Sequence, residues 1–167
     1  LYSVADNFLY NCGAEFQAHF HSIAIPQNKY YKEHPEYFLT LPNAGNYLLN
    51  LGNPEAFEYC CSTIGDLVEK IGVDCYRQDF NIAPLNYWRQ NEAEDRKGIL
   101  EIKHIMGLYA FWDYLLKRFP NIIIDNCASG GKRIDIETLR RSVPLWRSDY
   151  ECAANYPTAG AQSHNLG

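Results

Sequence analysis

From Tyr47 onward the chain alternates short apolar runs with longer stretches in which apolar residues recur every three or four positions. The first run, Tyr47 to Leu51, reads as a strand. Asn53 and Pro54 then supply an N-cap and a first-turn proline. Phe57, Cys60, Cys61, Ile64, Leu67 and Val68 form one apolar helix face, and Gly72 closes the helix. Val73 to Gln78 reads as the second strand, followed by a long polar loop from Asp79 to Lys97 that contains Pro84. A second helix is predicted over Gly98 to Phe119. Ile102, Ile105, Met106, Tyr109, Trp112, Leu115, Leu116 and Phe119 line its face, and Pro120 stops it. Ile122 to Asp125 is the third strand, apolar enough to be covered on both faces. A short helix over Asp135 to Arg141 and a fourth strand over Val143 to Arg147 complete the pattern. Residues 1–46 are less regular.

Strand–helix alternation implies a parallel α/β sheet with right-handed crossovers. No G-x-G-x-x-G run follows any strand, which weakens a dinucleotide fold. Polar residues instead collect just past each strand, where (β/α)8 barrels carry their active sites. A whole barrel takes about 250 residues. The expectation is therefore a partial TIM barrel, one incomplete catalytic domain over residues 1–167 with parallel strands alternating with helices. A second copy would cover its exposed strand edges, which makes a homo-oligomer one expected assembly.

Composition narrows the function. Hydrophobic residues make up 47 % and charged residues 21 %, a globular balance. The net charge is −5 with Lys and Arg scattered, so neither nucleic acid nor an anionic membrane is an expected partner. No apolar run is long enough to span a bilayer. The six cysteines include no C-x-x-C pair, and no asparagine lies in an N-x-[ST] sequon. Reduced thiols and a cytoplasmic location are expected. The chain opens at Leu1 and stops at Gly167, so both ends read as cuts and a lost signal peptide is left open.

Asp79, Asn126 with Cys127, and Asp149 each follow a predicted strand, and in a parallel barrel such ends converge. Glycoside cleavage needs two carboxyl groups in that relation, one at the anomeric carbon and one at the leaving oxygen. Arg77, Arg133 and Arg147 would keep one aspartate ionised, while burial against Trp146 would raise the pKa of the other. Spacing alone fits a helix cap or turn residue at least as well.

Three motifs sharpen the reading. Arg77-Gln78-Asp79-Phe80-Asn81 is similar to the K-W-D-M-N-R nucleophile segment of family 36 glycoside hydrolases, the melibiase-type α-galactosidases. Cys127 to Asp135 (CASGGKRID) resembles that family's C-A-S-G-G-G-R-F-D loop, and Trp146-Arg147-Ser148-Asp149 resembles its W-x-S-D acid/base segment. Order and separation agree, over roughly residues 30–167, with residues 1–29 poorly matched. The resemblance implies a retaining hydrolase that releases terminal α-galactose by double displacement. Asp79 would be the nucleophile and Asp149 the acid/base. Arg77, Asn81, Cys127, Ser129, Gly130, Arg133 and Trp146 would bind substrate, an α-galactoside oligosaccharide or glycoconjugate. No metal or organic cofactor is implied. The chain departs from the family at Arg77-Gln78, where the family has Lys-Trp. The family's upstream W-F-E-P-E stretch and its paired hydroxyl-binding aspartates are also not found.

Two rival readings remain at this point. His19-Phe20-His21 would put two imidazoles on one strand face and, with His104 and Asp149, resemble a metal-dependent amidohydrolase barrel. A barrel fragment that binds sugar without cleaving it is the non-enzymatic rival. Cys127 as a nucleophile lacks a histidine partner.

Overall fold

The structure, a computed structural model, describes residues 17–21, 23–24, 29–149 and 155, with only the backbone course given for 17–21, 23–24 and 29. In chain order the elements are β1 (Gln17–His21), β2 (Ile23–Ala24), α1 (Lys29–Glu33), β3 (Phe38–Leu39), β4 (Tyr47–Leu49), α2 (Pro54–Ile71), β5 (Cys75–Asp79), α3 (Leu85–Gln90), α4 (Ile99–Arg118), β6 (Ile123–Asn126) and α5 (Ile136–Leu139). The strands form two sheets. β1, β5 and β6 lie side by side and all parallel, whereas β2, β4 and β3 form a small antiparallel sheet.

Helix α2 begins and ends where its sequence dictates. The Asn53 side chain accepts from the Glu55 N–H at 2.9 Å, and Pro54 stands where no amide donor is needed. Gly72 stops the helix in the left-handed region (φ 71°), its N–H bonded to the Val68 carbonyl. Helices α2 and α4 pack together over the parallel sheet. Ile64, Val68, Tyr76, Phe111, Trp112, Leu115 and Ile124 meet in one core, none more than 3 % exposed. Each such large side chain contributes about 1.5–3 kcal/mol by leaving water. Gly107 lets α4 approach the turn before α2, because a Cβ there would sit 2.2 Å from the Leu51 carbonyl oxygen.

Several expectations are corrected. The strand expected at Tyr47–Leu51 is β4, and it pairs antiparallel with β3 rather than joining the parallel sheet. The turn that ends near Ala44, whose N–H bonds the Leu41 carbonyl, carries Asn43 at φ 62° and folds the chain back on itself. The less regular N-terminal stretch contains β1, which runs parallel to β5 in the register His21 to Asp79. The polar loop after Asp79 holds α3, anchored by the buried Tyr87 and Trp88. Two anchors give too short a pattern for periodicity to reveal. Helix α4 is rotated from the predicted face: His104, Leu108, Phe111, Trp112 and Leu115 are buried, while Ile102 and Met106 are more than half exposed. Apolar residues occur all round this helix, so its sequence does not select one face.

The fourth strand shrinks to a single parallel bridge between Val143 and Asp125. Pro144 has no N–H to give, and the Leu145 N–H donates to the Asp125 side chain at 2.9 Å instead of to a neighbouring strand. The short helix is α5, with Asp135 as its N-cap in a reciprocal box with Thr138. Among the described residues no helix is long and apolar enough to cross a membrane. Cys60, Cys61, Cys75 and Cys127 are free thiols, and Cys12 and Cys152 lie outside the described residues.

Candidate active site

The register Arg77–Asp125 and Gln78–Asn126 brings the C-terminal tips of β5 and β6 to one level, with Asp79 and Cys127 just beyond it. Asp79 is 7 % exposed. Its Oδ1 accepts from the Phe80 N–H at 2.7 Å and from the Ser129 N–H at 3.4 Å. Burial first, then the Asp79 charge, push the Cys127 thiol up to about 11. A thiol so held stays protonated near neutrality and is no nucleophile.

The loop after β6 approaches both aspartates. Ser129 and Gly130 are consecutive residues in the left-handed region (φ 45° and 79°), which turns the Ser129 N–H toward Asp79. The Ser129 hydroxyl donates to Asn81 Oδ1 at 2.9 Å. On the opposite side the loop presses on the segment carrying Asp149. A Cβ on Gly130 would lie 2.9 Å from the Asp149 nitrogen, and one on Gly131 would lie 2.5 Å from the Arg147 carbonyl oxygen. Only glycine lets the two backbones lie this close. Asp149 itself is exposed, and its Oδ1 accepts from the Trp146 indole at 3.0 Å. The expected burial of an aspartate against Trp146 is therefore corrected to a hydrogen bond at the surface.

Two arginines behave differently from expectation. Arg77, expected among the sugar hydroxyls, donates to the fully buried Asp125 at 2.5 Å. Burial works against the Arg77 charge, but the bond to Asp125 and its charge prevail and hold the guanidinium above its ordinary value. Arg133 uses its donors on protein acceptors: Asn126 Oδ1 at 2.8 Å, and the Gln78 and Cys127 carbonyls at 3.0 Å each. Its guanidinium lies over the Trp112 and Phe80 rings, and burial pushes its pKa down to about 10. It braces the strand tips from behind.

The structure thus brings Asp79, Asn81, Cys127, Ser129 and Arg133 together around the tips of β5 and β6, sets Gly130 and Trp146 against Asp149, and turns Arg77 toward Asp125. Sequence reasoning gave no site role to Asp125, Gln78 and Trp112, and placed Asn126 at a strand end without its partner Arg133. Asn126 returns a bond to the Arg133 carbonyl at 2.7 Å, and Trp112 donates to Gln78 Oε1 at 2.6 Å. The one available signal was a charged residue closing an otherwise apolar strand beside an arginine on its neighbour. The side chains of His19 and His21 lie outside the described residues. His104 is buried against the Phe80 and Trp88 rings.

The Melibiase family model matches residues 8–156. The chain belongs to the melibiase family. The match begins upstream of residue 30, where the motif resemblance starts, and it sets aside the amidohydrolase-like reading. An α-galactosidase of Escherichia coli is 31 % identical over 130 residues, which is 74 % of this chain and 18 % of that protein. The structure of the α-galactosidase from Lactobacillus brevis superposes with a TM-score of 0.76 at 21 % identity, covering 92 % of this chain and 21 % of that one. A Geobacillus stearothermophilus AgaA α-galactosidase variant solved in complex with raffinose gives a TM-score of 0.70 at 22 % identity, over 82 % of this chain and 20 % of that one. These neighbours establish the fold as part of an α-galactosidase barrel. The chain spans about a fifth of the length of these relatives.

Proposed function

We propose that this chain is the part of a retaining α-galactosidase barrel that carries both catalytic carboxylates, with Asp79 the nucleophile and Asp149 the acid/base. The observation that carries the reading is the Cys127–Gly131 loop, whose Ser129 N–H reaches Asp79 while Gly130 packs against the backbone of Asp149. One loop then touches both carboxyl-bearing segments, which flank the end of β6 on its two sides.

In this reading Asp79 attacks the anomeric carbon of a terminal α-galactoside and forms a galactosyl–enzyme ester, while Asp149 protonates the departing oxygen. Asp149 then takes a proton from water as that water opens the ester, and two inversions give net retention. The Phe80 and Ser129 N–H groups hold the Asp79 carboxylate in one orientation before the sugar arrives. Trp146 steadies Asp149. Asn81 and Ser129, exposed and half-buried beside Asp79, are placed to meet sugar hydroxyls. The relative solved with raffinose, and a second AgaA variant solved with stachyose, support α-galactoside oligosaccharides as the substrate class.

The test is trapping with an activated fluoro-α-galactoside followed by peptide mapping. A label on the peptide containing Asp79, absent in Asp79→Ala, is expected. A label that persists in Asp79→Ala sinks the assignment. Saturable galactose binding with neither labelling nor turnover of p-nitrophenyl α-galactoside would point to the sugar-binding fragment instead.

A further inference from the structure

Asp125 is fully buried, and its two carboxyl oxygens serve different neighbours. Oδ2 accepts from the Arg77 guanidinium at 2.5 Å, and Oδ1 accepts from the Leu145 N–H at 2.9 Å. Arg77 lies on β5 two residues before Asp79, and Leu145 lies four residues before Asp149. The three segments meet at one level. Arg77 is in register with Asp125, and Asp125 is bridged to Val143. That bridge is made by the Val143 N–H on the Ile124 carbonyl at 2.8 Å and the Asn126 N–H on the Val143 carbonyl at 3.2 Å. In a continued parallel ladder the Leu145 N–H would bond a β6 carbonyl. It bonds the Asp125 side chain instead, one step nearer to Asp149 than the bridge.

We infer that, given the roles proposed for Asp79 and Asp149, Asp125 is a positioning residue that ties β5 to the segment leading into Asp149 and so sets the acid/base against the nucleophile. A carboxylate suits the place because a guanidinium and a backbone N–H can only donate, so the group between them must accept on both of its atoms. Asparagine there would turn a donor NH2 toward one of two donors. Stability alone does not account for the pair, since apolar residues of similar volume commonly do as well as a buried ion pair. What the pair adds is a defined geometry. A misplacement of about 1 Å can cost about 10²-fold in rate. The Cys127–Gly131 loop touches the Asp149 backbone itself, whereas Asp125 holds the strand that delivers it.

The double variant Arg77→Met/Asp125→Leu of the 167-residue chain tests this, because it removes the whole pair and strands no buried charge. The first readout needs no turnover. Hydrogen exchange at the Leu145 amide should be slow in the unaltered chain and about tenfold faster, or more, in the double variant. A Leu145 amide that exchanges freely in the unaltered chain, or stays protected in the folded double variant, overturns the inference. The second readout compares kcat/KM on raffinose, whose leaving oxygen needs a proton, with that on p-nitrophenyl α-galactoside, whose leaving group needs little help. The double variant should lose about 10²-fold on raffinose and less than about tenfold on the aryl galactoside, with galactose binding kept. Equal losses on the two substrates, or none, would show a structural role only and overturn the inference. Asp125→Asn, which keeps an acceptor for Leu145 and loses the one for Arg77, should show the same split if the double variant does not fold. An unaltered chain that turns over neither substrate sinks the glycosidase reading itself, whereas turnover with equal losses sinks only the part given to Asp125.

Discussion

Asp79 and Asp149 lie on either side of the tip of β6, yet the molecule holds them in opposite ways. Asp79 is buried at the tip of a regular parallel strand, with two backbone N–H groups on one oxygen. Asp149 is exposed, follows a segment with a single bridge to the sheet, and is steadied by the Trp146 indole and by glycines packed on its backbone. The contrast suits the two proposed tasks. A nucleophile must approach one carbon along one line, so fixing it before the substrate binds removes an entropic cost. An acid/base must exchange a proton with the leaving group and then with water, and access to solvent serves that exchange.

Removing the buried side should have the largest effect. Asp79→Ala is expected to lower turnover of p-nitrophenyl α-galactoside by about 10⁴-fold or more, with galactose binding retained. A residual rate near the unaltered one breaks the comparison at once. Asp149→Ala should cost about 10²–10⁴-fold on natural oligosaccharides. The loss should shrink on substrates with acidic leaving groups, which need no proton. Equal losses on both substrate types would show that Asp149 is not the acid.

The remaining predictions concern what holds each side. Arg77→Met takes the one cation away from the buried Asp125 carboxylate's ion pair, and should lower the unfolding free energy by about 3–5 kcal/mol in urea titrations. Little change would mean that solvent reaches Asp125. His104 is held neutral by burial and by Arg133, with its pKa lowered to about 4 from 6.5. Between those two values the unfolded chain binds the extra proton, so this group's contribution is fully present above pH 6.5 and is lost as pH falls toward 4. The loss should total about 3 kcal/mol, read as the difference between the pH profiles of the unaltered chain and His104→Phe. Parallel profiles would show that His104 titrates normally. Gly130→Ala introduces a Cβ 2.9 Å from the Asp149 nitrogen at a φ of 79°. It should cost about 1–2 kcal/mol of stability and lower kcat more than it raises KM. An unaltered kcat would mean that the loop does not set the position of Asp149.

Much of this molecule was legible from local chemistry alone. Asn53, Pro54 and Gly72 bound α2 because capping and backbone preference act within a few residues. The apolar run before Asn126 and the start of the short helix near Asp135 were readable for the same reason. The three motifs marked Asp79, Cys127 to Gly131 and Asp149, and the family match covers all of them. The other features depended on partners distant in the chain. Tyr47–Leu49 has the pattern of a strand, but its antiparallel pairing depends on the turn at Asn43. The buried face of α4 was decided by which neighbours it meets, since the helix is apolar all round. Arg77 and Arg133 carry the same charge in sequence. Only the register of β5 against β6 gives one a buried carboxylate and the other a ring of carbonyls. Caps, turns and strand tendencies are short-range and are written into neighbouring residues. Pairing direction, helix facing and the partner of a charge are set by groups brought together from dozens of residues apart, and only the folded chain decides them.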